Sequence, residues 1–173
     1  MSSTESVSKS KRRWIRRVLD AVLIVAIFVG VRAYQRRDAL EGQIPPLRGH
    51  DIVNGADVDL HAYRGKPVLL HFWATWCGVC KACQHNIRAV AEDHAVVTVA
   101  TQSGSSQAVV DFLRSHRMGA PVLLDKYGVI AQHFGVRAFP TTFVIDTQGT
   151  VRHVEVGYSS ELGLRFRLWL ATL

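Results

Sequence analysis

The chain changes its hydrophobic rhythm several times, and each rhythm predicts an element. "PVLLHFWA" (67–74) is almost continuously apolar, which suits a central strand buried on both faces. From Gly78 to about Asp93 the spacing shifts to that of a helix, with Val79, Cys83, Ile87 and Val90 on one stripe. "AVVTVATQ" predicts the next strand. Ser105 or Ser106 caps a helix carrying Val109, Phe112 and Leu113. "APVLLD" is a short apolar strand, and "KYGVIAQHFGV" a brief helix ending at Gly135. "TTFVID", "TQG" and "TVRHVEVGY" predict a hairpin. The last fifteen residues, "SSELGLRFRLWLATL", predict an amphipathic helix capped by Ser159 or Ser160, with Leu162, Phe166, Trp169 and Leu170 facing inward. Strand and helix thus alternate before an antiparallel pair. That is an α/β chain whose helices flank a mixed central sheet, a three-layer sandwich. No internal repeat interrupts it, and the only biased tract is the Ser-rich first ten residues.

A different pattern occupies the head, "KRRWIRRVLDAVLIVAIFVGVRAYQRRD" (11–38). An apolar run from Val18 to Val31, broken only by Asp20, lies between basic residues. Trp14 and Tyr34 serve as interfacial anchors, and Arg16, Arg17 and Arg32 snorkel, so residues 14–34 are expected to form a transmembrane helix. Val31 and Ala33 offer a small-residue cleavage site, but arginines flank it on both sides, and an uncleaved anchor is the better expectation. The predicted organisation is therefore a basic tail (1–13), an anchor (14–34), a linker with a Pro-Pro pair (35–50) and a folded domain (51–173).

Charge sharpens this picture. Residues 1–40 hold nine Lys/Arg against three Asp/Glu, whereas residues 41–173 hold twelve against eleven. The basic balance belongs to the head, so it points to a membrane and not to nucleic acid. Lys11, Arg12, Arg13, Arg16 and Arg17 precede the apolar run, and the heavier side stays in the cytoplasm. The expectation is a single-pass protein of a bacterial inner membrane with its C-terminal domain in the periplasm, where dithiols are actively oxidised.

All three cysteines lie in "CGVCKAC", at 77, 80 and 83. Cys77 falls where the buried strand gives way to a helix, and orphan N–H groups with the positive end of the helix dipole favour a thiolate there. Cys80 follows one turn later. The pair suits thiol–disulfide exchange, with an exposed low-pKa nucleophile and a sheltered resolving thiol. Trp76 shields the nucleophile and offers a flat contact to a substrate backbone. Iron–sulfur and structural zinc sites take four ligands, and the eight histidines are scattered, so no metal framework is expected. A soft copper(I) module on Cys77, Cys80 and Cys83 is the alternative. A thiol peroxidase would need a single peroxidatic cysteine, which the CxxC fits poorly. No phosphate-binding glycine loop, G-x-S-x-G or spaced carboxylate pair appears.

"FWATWCGVC" followed by "GVRAFPTTFVIDTQG" resembles the thioredoxin superfamily, specifically its membrane-anchored extracytoplasmic branch. "WATWCGVC", the short anchor and the "LRFRLWLA" ending are most similar to disulfide oxidoreductases of the suppressor-of-copper-sensitivity protein D type. The resemblance implies a thioredoxin-like fold over about 45–173, with Cys77 attacking and Cys80 resolving. It implies a cis-proline at Pro140, a substrate groove lined by Trp76 and Phe139, and a link to copper tolerance. It also implies cysteine-containing periplasmic proteins as substrates, a transmembrane thiol-redox partner that keeps the dithiol reduced, and no cofactor beyond the Cys77–Cys80 disulfide. Cytochrome c maturation is the neighbouring duty, though "GVRAFPTTF" lacks an acid. Two positions depart from the pattern. His71 stands where an acid is common, and it is either the proton acceptor for Cys80 or a buried neutral histidine. Cys83 is either a helix-stripe filler or a third redox thiol that bridges Cys80.

Overall fold

The computed structural model describes residues 4–36, 39–116 and 119–173. Contacts divide the chain into two compact units, Met1–Arg37 and Asp38–Leu173.

The first unit is one helix, α1 (Thr4–Arg36). Its large apolar side chains, from Trp14 to Tyr34, are exposed. Among the described residues no helix is long and apolar enough to cross a membrane. This corrects the transmembrane expectation for 14–34, and the physical reason is length. Between Asp20 and Arg32 only 11 consecutive apolar residues stand, against the roughly 20 a spanning helix wants. The helix also runs without a break through the expected boundary at residue 13.

The second unit has the expected α/β architecture. In chain order it contains β1 (Gly42–Gln43), β2 (Arg48–His50), β3 (Asp57–Asp59), a 3-10 turn (Leu60–Tyr63), β4 (Val68–Trp73) and α2 (Gly78–Ala91). Then follow β5 (Ala95–Thr101), α3 (Ser106–His116), β6 (Val122–Asp125), α4 (Val129–His133), β7 (Thr141–Ile145), β8 (Thr150–Val156) and α5 (Glu161–Leu170). The main sheet has the order β1-β8-β7-β4-β5-β6. β4 pairs parallel with β5 and antiparallel with β7, so the sheet is mixed and β4 lies inside it. All six β4 residues are buried, as a continuous apolar run requires. On one face Leu69, Ile87, Val90, Val144, Leu164 and Leu168 join α2 and α5 to the sheet. On the other, Leu70, Phe72, Phe134 and Phe143 pack with Ile44, Leu47 and Leu60.

The domain starts earlier than residue 51. Gly42 and Gln43 pair with Val151 and Thr150, and Ile44 and Leu47 are buried in the core. Much of the expected linker is therefore structural, because its apolar residues close one face of the sheet.

Two helix faces also differ from their sequence reading. Val79 is exposed, and the buried stripe of α2 is Cys80, Cys83, Gln84, Ile87 and Val90. On α5 the buried pair is Leu164 and Leu168, while Leu162, Phe166 and Trp169 face outward. The choice lies with α2 and β7, which meet α5. It is held by Arg165, whose guanidinium bonds Asp93 and the Ala89 carbonyl. Ser160 caps α5 and Ser105 caps α3 through their hydroxyls, as expected.

This orientation carries a direct expectation. Leu164→Ala opens a cavity at a fully buried position and should cost about 2–5 kcal/mol, whereas Phe166→Ala on the exposed face should cost under about 1 kcal/mol. Urea unfolding of the two variants measures the difference, and the reverse ranking would restore the original face assignment.

Candidate active site

The site begins where β4 ends. Trp73 and Ala74 are buried, and the Cys77 N–H donates to the Ala74 carbonyl at 3.2 Å, folding the chain into a tight turn. Cys77 then takes an extended conformation (φ −83°, ψ 113°) as the N-cap of α2. Its sulfur accepts the Cys80 N–H at 3.1 Å, in the way a capping serine oxygen satisfies the first turn. A thiolate at this atom gains both that hydrogen bond and the positive end of the helix. Cys77 and Cys80 form a disulfide, with Cα atoms 5.2 Å apart.

The two sulfurs are not equivalent. Cys80 is 1% exposed and Cys77 8%. The expected order holds, but Cys77 is less open than an exposed nucleophile, because two aromatic residues stand beside it. Trp76, 61% exposed, meets the Phe139 ring edge-on at 5.8 Å. The Phe139 carbonyl oxygen lies 3.6 Å from the Cys77 sulfur, within reach of the thiol in the reduced form. The Phe139–Pro140 peptide bond is cis, and Pro140 is buried. The structure thus gathers Cys77, Cys80, Trp76, Phe139 and Pro140 at one end of β4.

Sequence reasoning missed the turn after β5. The Trp76 Nε1–H donates to the Gln102 carbonyl at 3.0 Å, and the Thr75 N–H donates to Ser103 Oγ at 3.1 Å. Gln102 has φ +48°, which is left-handed backbone at a non-glycine residue. The run "SGSS" after a buried strand marks a turn, but nothing in it shows that the turn reaches back to Trp76.

His71 sits inside the sheet at 1% exposure, between Thr98 of β5 and Thr142 of β7. Its Nδ1 shares a 2.8 Å hydrogen bond with the Thr142 hydroxyl. Burial lowers its pKa from 6.5 to about 3, which keeps the ring neutral at ordinary pH. A proton acceptor for Cys80 would have to take charge in that desolvated position, so the geometry favours the neutral buried histidine.

Cys83 is a buried free thiol. Desolvation raises its pKa, partly offset by a backbone hydrogen bond from Ser159. It packs in the α2 stripe and forms no bridge to Cys80, whose partner is Cys77. Among the described residues no group of three or more His, Cys, Asp or Glu is placed to hold a metal ion.

Residues 42–154 match the family described as AhpC/TSA. The chain belongs to the AhpC/TSA family. This AhpC/TSA protein is 32% identical to the thiol-disulfide oxidoreductase ResA of Bacillus subtilis (strain 168) over 164 residues, covering 90% of each chain. It is 31% identical to thioredoxin-like protein YneN of the same organism over 157 residues, 84% of this chain and 91% of that one. Among solved structures it is similar to a secreted Mycobacterium tuberculosis disulfide oxidoreductase homologous to E. coli DsbE. That likeness has 25% identity and a TM-score of 0.62, over 72% of this chain and 95% of the other. With its Cys77–Cys80 pair, this AhpC/TSA protein is a thiol–disulfide oxidoreductase with a thioredoxin-like fold.

The histidine supplies a stability test. The folded protein resists protonating His71 until about pH 3, whereas the unfolded chain accepts that proton near 6.5. The neutral ring therefore contributes its full stability above about pH 6.5, and loses it as pH falls toward 3, by up to about 1.4 kcal/mol per unit. His71→Asn, which lacks this titration, is expected to show a shallower loss between pH 6.5 and 4 in urea unfolding. Equal slopes would mean that the ring ionises in the folded protein as a surface histidine does.

Proposed function

We propose that this oxidoreductase works outside the cytoplasm, held at a membrane by α1, and reduces disulfides in cysteine-containing proteins. The observation that carries the chemistry is the Cys77 sulfur acting as N-cap of α2, bonded to the Cys80 N–H and set beside Phe139 and Pro140. In the reduced form the Cys77 thiolate attacks a substrate disulfide, forming a Cys77–substrate disulfide and releasing one substrate thiolate. Cys80 loses its proton and attacks the Cys77 sulfur. The second substrate thiolate leaves, and the Cys77–Cys80 disulfide holds the two electrons' worth of oxidation. A membrane thiol-redox partner returns the pair to the dithiol.

Trp76 and Phe139 form the groove wall that meets the substrate backbone, with Pro140 shaping its floor. His71 supports the sheet beneath the pair in its neutral form, and Cys83 fills the α2 stripe. The extracytoplasmic reading draws on the secreted relative and on the basic head. The membrane reading draws on the exposed apolar side chains of α1 between Trp14 and Tyr34.

Two measurements test this reading. Equilibration of the full chain with glutathione buffers, with each cysteine's state read by mass spectrometry, should place the Cys77–Cys80 couple at about −250 mV. A couple at about −120 mV would make the protein an oxidant instead. Cys80→Ser should accumulate mixed disulfides through Cys77 in cells, and a chain lacking residues 1–37 should move from the membrane to the soluble fraction.

A further inference from the structure

α5 is apolar on two faces that point in roughly opposite directions. Leu164 and Leu168 are buried with the aliphatic residues of α2 and the sheet. Leu162, Phe166 and Trp169, with Leu173 just beyond the helix, are 55–88% exposed. At about 100° per residue the three helical ones fall within an arc of about 60° on the outer side. A helix apolar on both sides is a helix that is covered on both sides, and here only one cover is present.

The outer seam is held in shape. The Phe166 and Trp169 rings stack with centroids 5.9 Å apart and planes 29° from parallel, forming an aromatic ledge. Arg165 ties the helix to the Asp93 carboxylate and the Ala89 carbonyl, so α5 cannot roll to hide the ledge.

The charges of α5 are already compensated. Glu161 pairs with Arg165 at 2.8 Å, Arg165 also pairs with Asp93 at 2.6 Å, and Arg167 pairs with Glu155 at 2.6 Å. An anionic lipid surface or an acidic partner would draw on free cations beside the apolar face, and α5 offers none. An identical helix, by contrast, brings no uncompensated like charge to the contact. Area agrees with that occupant. A large aromatic side chain alone carries about 150–250 Å², so the seam presents roughly 500 Å² per copy. Two facing seams remove about 1,000 Å² from water, the size at which specific interfaces begin.

We propose that this face joins two copies of the chain, α5 packed antiparallel on α5 about a two-fold axis at Phe166. Leu162 and Trp169 stand on either side of Phe166 along the seam. The two-fold therefore sets each Leu162 against the partner's Trp169, small against large, and opposes the two helix dipoles. The contact lies away from the chemistry. Leu164 and Leu168 seat α5 on one face of the sheet, whereas Phe139 packs with the core cluster of the other. Both Cys77–Cys80 sites stay open in the pair.

The test uses the full chain in cells, with Phe166→p-benzoylphenylalanine as a photo-cross-linker of similar shape. Illumination should give a species of twice the monomer mass, and mass spectrometry should map the cross-link to α5 of the second copy. The same label in place of Tyr127, exposed beyond the edge strand β6, should give no such species. Trp169→Glu in the Phe166-labelled chain should lower the dimer yield at least about tenfold, as loss of an interface aromatic requires. Trp169→Ala should lower it in the same direction. Neither change touches the buried pair Leu164 and Leu168, so both variants should still reduce 2-hydroxyethyl disulfide at the wild-type rate, which shows that they fold. Cross-links only to lipid, only to another protein or to a part of the second copy other than α5 would overturn the pairing. So would no cross-link at all, or a dimer yield that neither Trp169 variant changes.

Discussion

A single hydrogen bond organises this domain, the one from the Cys80 N–H to the Cys77 sulfur. It makes the reactive atom the cap of α2, so the chemistry and the start of the helix cannot be separated. Everything that fixes where α2 begins also fixes the sulfur. β4 does most of this, because its six residues are buried, five of them, Val68 to Phe72, are paired on both sides, and the strand has no freedom to slide. The aliphatic contacts of Ile87 and Val90 with Leu69 and Leu164 then press the helix onto the sheet. A sulfur held this way receives charge from fixed N–H groups instead of reorganising water.

The outer side of the site is held by different means. Two connections reach it from separate parts of the sheet, the turn after β5 and the segment before β7. The first uses the Gln102 carbonyl and the Ser103 hydroxyl to hold Trp76 and Thr75. The second brings the Phe139 carbonyl to the Cys77 sulfur. The left-handed residue in the first connection costs of order 1 kcal/mol, offset by the hydrogen bonds its N–H and C=O make. Backbone strain at this place points a carbonyl toward an indole that a relaxed turn would leave loose.

How much of this the sequence revealed depends on the element. β4 was legible because both of its faces are covered, so its apolar run needs no periodicity to be read. The redox pair was legible because the CxxC sits at a strand-to-helix junction. The face of α5 was not. Leu162, Leu164, Phe166 and Leu168 alternate with Gly163, Arg165 and Arg167, so apolar side chains point in several directions and only contact with α2 and β7 decides between them. The edge of the domain was hidden for another reason. β1, β2 and β3 have two or three residues each, too short for any rhythm, and β1 and β2 stand beside a Pro-Pro pair that reads as a linker. In the head, composition suggested a membrane span that an 11-residue apolar core does not supply.

Three cysteines at equal spacing become chemically distinct through position alone. Cys77 lies outside the helix, and its extended backbone swings its Cα to 5.2 Å from that of Cys80, inside the range a disulfide needs. Cys80 and Cys83 are one helical turn apart, with Cβ atoms roughly 5–6 Å from each other, beyond the roughly 3.5–4.5 Å of a bonded pair. Only the first pair can close without moving the helix. Burial adds a second distinction, for it raises the Cys83 pKa and keeps that group a thiol, while the cap position favours the thiolate of Cys77. Exchange between neighbouring thiols needs a thiolate and an approach, and Cys83 has neither. The regular repeat in "CGVCKAC" is thus broken by the N-cap, which places the first cysteine off the helix that carries the other two.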